Sequence, residues 1–111
     1  MSRQSKIVKL EIAGLKFTWD AAKARANERD HGVAFEEAAS CWFDPYKLES
    51  YDAEHSTDET RWLLIGTSKL NRLLVCWFTE RKINQQEIIR LIGARKVSQK
   101  ERKRYEEATN K

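Results

Sequence analysis

"FTWDAAKARANERDHGVAFEEAASCWFDP", residues 17–45, decides how the chain folds. Asp20 precedes a run rich in Ala, Lys, Arg and Glu, and its carboxylate can accept from the free N–H groups of a first helical turn. Gly32 suits the position after a helix because it tolerates positive φ. A helix over Ala21 to Asp30 is expected, with His31 at its last position. Phe35, Ala38, Ala39 and Trp42 recur at three and four residues. That spacing predicts a second helix with a buried stripe, reaching Trp42 or Phe43. Asp44-Pro45 stops it.

On either side the pattern turns to strands. Residues 7–17 alternate loosely around Ala13-Gly14 and read as one or two short strands, or a hairpin. After Pro45 comes a short polar strand, Lys47 to Tyr51, then the turn-rich loop "DAEHSTDE". Trp62 to Thr67 is a strand and Ser68 to Arg72 its turn. Leu73 to Thr79 is nearly all apolar and reads as a central strand, with a turn over Glu80 to Asn84. Gln86 to Lys96 forms the last strand, where Gly93 marks a bulge or a close backbone approach. Ser98, with Glu101 three residues on, has the pattern of a capping box. The helix it starts has Val97, Tyr105 and Ala108 as its few apolar anchors. The order β-α-α-β-β-β-β-α predicts an α+β domain: a small antiparallel sheet with two N-terminal helices and one C-terminal helix. Residues 1–16 are expected to be an extension or strand, and residues 108–111 a frayed tail.

The 111 residues make one domain, and 41% hydrophobic content is enough for a packed interior. No apolar run approaches the ~20 residues that cross a bilayer. The first residues lack the continuous apolar core of a secretion signal. Cys41 and Cys76 have apolar neighbours and read as buried free thiols in a reducing compartment, so a cytoplasmic location is expected and no membrane partner. Charge is split. Residues 36–60 hold eight acids and one base, whereas residues 61–111 hold thirteen bases and five acids. The basic half points to a polyanion or an acidic protein partner.

Three groups of residues could carry chemistry. Lys23, Asn27 and His31 recur every four residues on the first helix. They could hold a phosphate, or they could be a solvated face with His31 bonded near the helix end. Glu59 and Arg61 precede the third strand and point the same way. They could accept a proton and grip a phosphate, or simply pair with neighbours. His55, in the loop before them, reads as a polar loop residue rather than a base. Arg95 and Lys96 end the last strand on opposite faces. Lys100, Arg102, Lys103 and Arg104 follow on the helix, and Tyr105 could stack on a base or simply pack. No metal-ligand spacing and no phosphate-binding glycine motif is present, so neither metal nor cofactor is expected. Metal-free RNA cleavage is open to such a set. Arg and Lys can neutralise a phosphorane, and His, Glu or Lys can move protons.

Taken in order, "FTWDAAKARANERDHGVAFEEAA", "YDAEHSTDETRWLLIG", "LLVCWFTER" and "GARKVSQKERKRYEE" resemble the BrnT family, toxins of type II toxin–antitoxin systems. The resemblance covers about residues 17 to 107. It implies a RelE-like ribonuclease fold and inhibition of translation by RNA cleavage. It also implies neutralisation by a BrnA-type ribbon-helix-helix antitoxin, through which alone operator DNA is bound. The family motifs fall on Trp19, Asp20, Lys23, Asn27 and His31, on Arg61, on Ala94, Arg95 and Lys96, and on Glu101, Arg102 and Tyr105. Asp30 stands where family members mostly carry a basic residue, and Gly93 where many carry serine. The expected catalytic residues are Arg61, Arg95, Lys23, His31 and Glu59. Asn27, Lys96, Lys100, Arg102 and Tyr105 are expected to bind substrate. An alternative is a catalytically weak relative that acts mainly as an antitoxin-binding, transcription-regulating partner. A DNA-binding module built on the terminal helix fits least, because no helix-turn-helix partner precedes that helix.

Overall fold

A computed structural model describes residues 6–110. Strands β1 (Ile7–Ile12) and β2 (Leu15–Asp20) form a hairpin, with Ile12 opposite Leu15. Its two turn residues, Ala13 and Gly14, both have positive φ, as tight hairpins require. Asp20 ends β2 and caps helix α1 (Ala21–His31), its carboxylate accepting from Lys23 N at 3.0 Å. Gly32, at φ 68°, closes that helix. Helix α2 (Phe35–Ser40) tightens into a 3-10 turn over Cys41–Phe43. Strands β3 (Leu48–Tyr51), β4 (Trp62–Thr67), β5 (Leu73–Ile83) and β6 (Gln86–Lys96) follow, then helix α3 (Gln99–Thr109).

The six strands lie in the order β1-β2-β6-β5-β4-β3. The domain is α+β as expected, but the sheet is mixed rather than antiparallel. β2 and β6 run parallel, pairing Lys16, Phe17 and Thr18 with Ile88, Ile89 and Arg90. Such a pair needs a long crossover, here supplied by everything between α1 and β5. A second difference lies in β5. It does not turn at Glu80 but continues to Ile83, because the hairpin is made by Asn84 and Gln85, both at positive φ.

One face of the sheet packs on α1 and α2. Trp42 makes edge-to-face contacts with Phe17 at 5.4 Å and Phe78 at 4.9 Å, and Trp19 meets Phe35 at 5.9 Å. Leu64, Leu74 and Cys76 join them, fully buried. Cys41 and Cys76 are buried free thiols. A Cβ on Gly66 would stand 3.0 Å from the Cys41 carbonyl oxygen, tighter than an ordinary contact, so glycine lets β4 approach the 3-10 turn closely. The helices are tied down by charge as well. Glu37, 3% exposed, receives Arg72 on both carboxylate oxygens and Ser68 Oγ at 2.6 Å, while Arg72 also donates to Gly32 O at 3.0 Å. Arg72, acting first through its hydrogen bonds, holds the Glu37 carboxyl below the usual carboxylate range.

α3 buries no residue completely. Its capping box is complete, and Tyr105 Oη donates to Asp44 Oδ2 at 2.5 Å, with Thr67 Oγ1 3.3 Å away. Val97 and Tyr105 are half-buried as anchors should be, but Ala108 is exposed. Polar ties, the Tyr105–Asp44 bond and the ion pair of Arg95 with Glu101, hold the helix more than an apolar seam does. Among the described residues no helix is long and apolar enough to cross a membrane.

Candidate functional site

A bulge in β6 builds the site. Trp77 of β5 pairs with Gly93, yet its neighbour Phe78 pairs with Leu91, so Ile92 is an extra residue. Side chains on a strand alternate, and Leu91 and Ala94, three apart, would face opposite ways on a regular strand. The extra residue lets both enter the core, each 2% exposed. It also carries Gly93 and Arg95 to the face turned away from α1 and α2. Trp77 stands there, as does Leu63, its partner on β4.

On this far face, His55, Arg61, Trp77, Ile92 and Gly93 line a shallow depression of about 240 Å³. Arg61 is half-buried, and its guanidinium has no ion-pair partner among the described residues. Its backbone is anchored: Arg61 N donates to Ser56 Oγ at 2.9 Å, and Arg61 O accepts from Asp52 N at 2.9 Å. Asp52 is 7% exposed, and its Oδ2 lies 2.8 Å from His55 Nδ1. An Nδ1–H given to this carboxylate orients the ring and makes Nε2 the nitrogen left to accept a proton. A positioned imidazole beside an unpaired guanidinium can move a proton and stabilise an anion. Sequence reasoning passed over His55 and Asp52. The available signal was D-x-x-H spacing in a turn-rich loop leading into the strand that bears Arg61.

The expected residues divide between several places. Arg95 reaches the far face, where its guanidinium carbon lies 5.0 Å from the Trp77 ring centroid. Its fork is filled: Nη1 and Nη2 donate to the two Glu101 oxygens at 2.8 and 3.0 Å. Burial works against the charge on Glu101, but Arg95 and Ser98 outweigh it and keep its carboxyl below the usual range. Glu59 pairs with Arg81 at 3.6 Å. Lys23 and His31 are exposed on α1, with no ion pair among the described residues. Asn27 points inward. Its Nδ2 donates to Ala94 O at 2.8 Å and Val33 O at 2.9 Å, and its Oδ1 accepts from Ala94 N at 3.1 Å. β2 has already turned away into α1 at this level, so the amide takes the place of the missing strand. Lys96, Arg102 and Tyr105 line a separate hollow of about 570 Å³ between α3 and the start of β5. Lys100 is exposed on α3. The Tyr105 hydroxyl is committed to Asp44. Burial and that bond raise its pKa, so it stays a neutral donor.

Although no metal motif is visible in the sequence, the fold gathers Asp52, Glu54 and His55 with ligating atoms within 4.8 Å of one another. Asp52 and His55 already satisfy each other there by hydrogen bonding, which a cation would have to break.

A search of curated proteins returns no match. The family model for the ribonuclease toxin BrnT of type II toxin–antitoxin systems matches residues 19–101, a span holding both Asn27 and the whole far-face depression. The chain belongs to the BrnT family of ribonuclease toxins.

Proposed function

We propose that this protein is a metal-independent endoribonuclease with a RelE-like site, which inhibits translation in the cytoplasm by cleaving RNA. The observation that carries the reading is the His55 ring, held by Asp52 and sharing a depression with the unpaired Arg61. His55 Nε2 takes the proton of a ribose 2′-hydroxyl. The 2′-oxygen attacks phosphorus, Arg61 donates to the oxygens of the phosphorane, and the P–O5′ bond breaks as the leaving oxygen takes a proton relayed by water from the protonated His55. The products are a 2′,3′-cyclic phosphate and a free 5′-hydroxyl. Lys96, Lys100 and Arg102 supply charge for the flanking RNA backbone. Membership of a type II system implies an antitoxin partner. We take that partner to be of the BrnA type, with a ribbon-helix-helix domain that alone contacts operator DNA.

The test is cleavage of single-stranded RNA by the purified chain with chelator present. Fragments ending in 2′,3′-cyclic phosphate are expected, with DNA left intact. Cleavage that needs added divalent metal would transfer the chemistry to the Asp52–Glu54–His55 cluster. No cleavage under either condition would leave a chain that acts chiefly by binding its antitoxin.

A further inference from the structure

We propose that the room over Gly93, against the Trp77 ring, is a stacking subsite for one unpaired nucleobase of the RNA, beside the groups that act on its phosphate. This rests on the ribonuclease reading and adds the recognition of a base to it. The first observation is Trp77 itself. Trp19 and Trp42 are buried in the core, and Trp62 packs edge-on against Tyr51 at 5.6 Å. Trp77 is left half-buried on the far face. Arg95 lies over its ring at 5.0 Å, from the end of the sheet next to α3. The depression beside the ring is lined by Arg61 and His55, and Arg95 is not part of its lining.

The second observation is Gly93, directly opposite Trp77 in the register. Neither backbone nor packing demands a glycine there. Its φ is not positive, and a Cβ would meet only Asn27 Oδ1, at 3.7 Å, an ordinary contact. A glycine inside a strand weakens it, so the effect of this residue is the room it leaves beside the indole. Ile92, pushed out by the bulge, gives that room an apolar wall. An aromatic face, an apolar wall and a cationic rim match an unpaired base with its phosphate. A base within a duplex is already stacked and cannot enter.

The experiment measures binding by fluorescence anisotropy at low salt. The probes are single-stranded RNA 12-mers with 2′-fluoro riboses, which cannot be cleaved through the 2′-oxygen. One series lacks a single base at successive positions. Wild-type protein is expected to lose about fivefold or more in affinity when one particular position is abasic. Gly93→Val fills the room with a residue that suits a strand. It should melt within a few degrees of wild type, bind the intact 12-mer several-fold more weakly, and no longer distinguish the abasic series. Trp77→Leu should do the same, and if it folds poorly Gly93→Val carries the test. Equal affinity of wild type for every abasic probe, with ordinary RNA still cleaved, overturns the subsite and spares the ribonuclease reading. So does a folded Gly93→Val protein that discriminates like wild type. Failure to bind or cleave any RNA overturns both.

Discussion

Asp52 Oδ2 holds His55 Nδ1 at 2.8 Å, and the same Asp52 donates its backbone N–H to Arg61 O at 2.9 Å. One buried residue thus orients the imidazole and anchors the backbone that carries the guanidinium. His55→Ala is expected to lower RNA cleavage by about 10²-fold or more, the usual worth of a positioned acid or base. Asp52→Asn should fall between that variant and wild type. It keeps the backbone bond but no longer holds the Nδ1–H as a carboxylate does. Single-turnover cleavage rates with thermal melts alongside will check this. A His55→Ala enzyme of full activity would remove the imidazole from the mechanism.

Arg61 and Arg95 should separate by their readouts. Arg61→Ala removes an unpaired cation and should reduce cleavage by about 10²–10³-fold, as loss of an oxyanion donor does, while the melting temperature hardly moves. Arg95→Ala leaves Glu101 without its fork at the head of α3, so the melting temperature should fall together with activity. Arg95→Lys should also be impaired, since an ammonium cannot serve both oxygens.

Arg72→Ala should strand the buried Glu37 carboxylate against α2. A fall in melting temperature on the order of 5–10 °C is expected. Arg72→Ala combined with Glu37→Gln should recover part of it, because an amide costs less to bury unpaired than a charge.

Acid should weaken the fold through three carboxylates. Glu37, Asp44 and Glu101 all have lowered pKa values: Arg72 drives the first, and hydrogen bonds overcome burial in the other two. Their folded pKa values lie below the unfolded ones. Their stabilisation is therefore full above the ordinary carboxylate range and is lost as pH falls below about 4. Glu80 works in the opposite sense. Burial, with Glu49 and Glu87 nearby, raises its pKa, so its protonation favours the fold. Three groups against one predict a net loss, measurable as a falling denaturant midpoint between pH 5 and 3, in units set by about 1.4 kcal/mol per pKa unit at most.

Lys100, Lys103 and Arg104 are exposed on α3. Reversing the charge of two of them should slow association with an acidic antitoxin by about tenfold or less, and leave dissociation little changed. Stopped-flow mixing across a salt series gives the answer. Rates indifferent to both salt and substitution would mean that this helix does not steer its partner.

The helices were legible because their signals are local. Asp20 and Gly32 bracket α1, and Ser98 with Glu101 opens α3, all within a few residues. The sheet was less so. Parallel pairing of β2 with β6 joins residues some seventy positions apart, and no local pattern encodes it. Asn84-Gln85 makes a tight turn without the glycine that usually announces one. In the candidate site, Arg61 was visible by its place before an apolar strand. His55 was not, since a loop has no periodicity to single out one polar residue. Asn27 was visible as a residue at helical spacing, but its inward direction depends on where β2 parts from β6.

That parting has a consequence for the order of events during synthesis. Asn27 and Ala94 are 67 residues apart, and each completes the other's hydrogen bonding. The chain emerges N-terminus first, so β2 and α1 exist well before the strand that seats them. Contacts of such long sequence separation form late and slowly. Gly93 and Arg95 arrive on that same sixth strand, so the far-face depression has no complete outline until β6 has emerged. For a member of a ribonuclease toxin family, the topology itself withholds that depression until the sixth strand has been made.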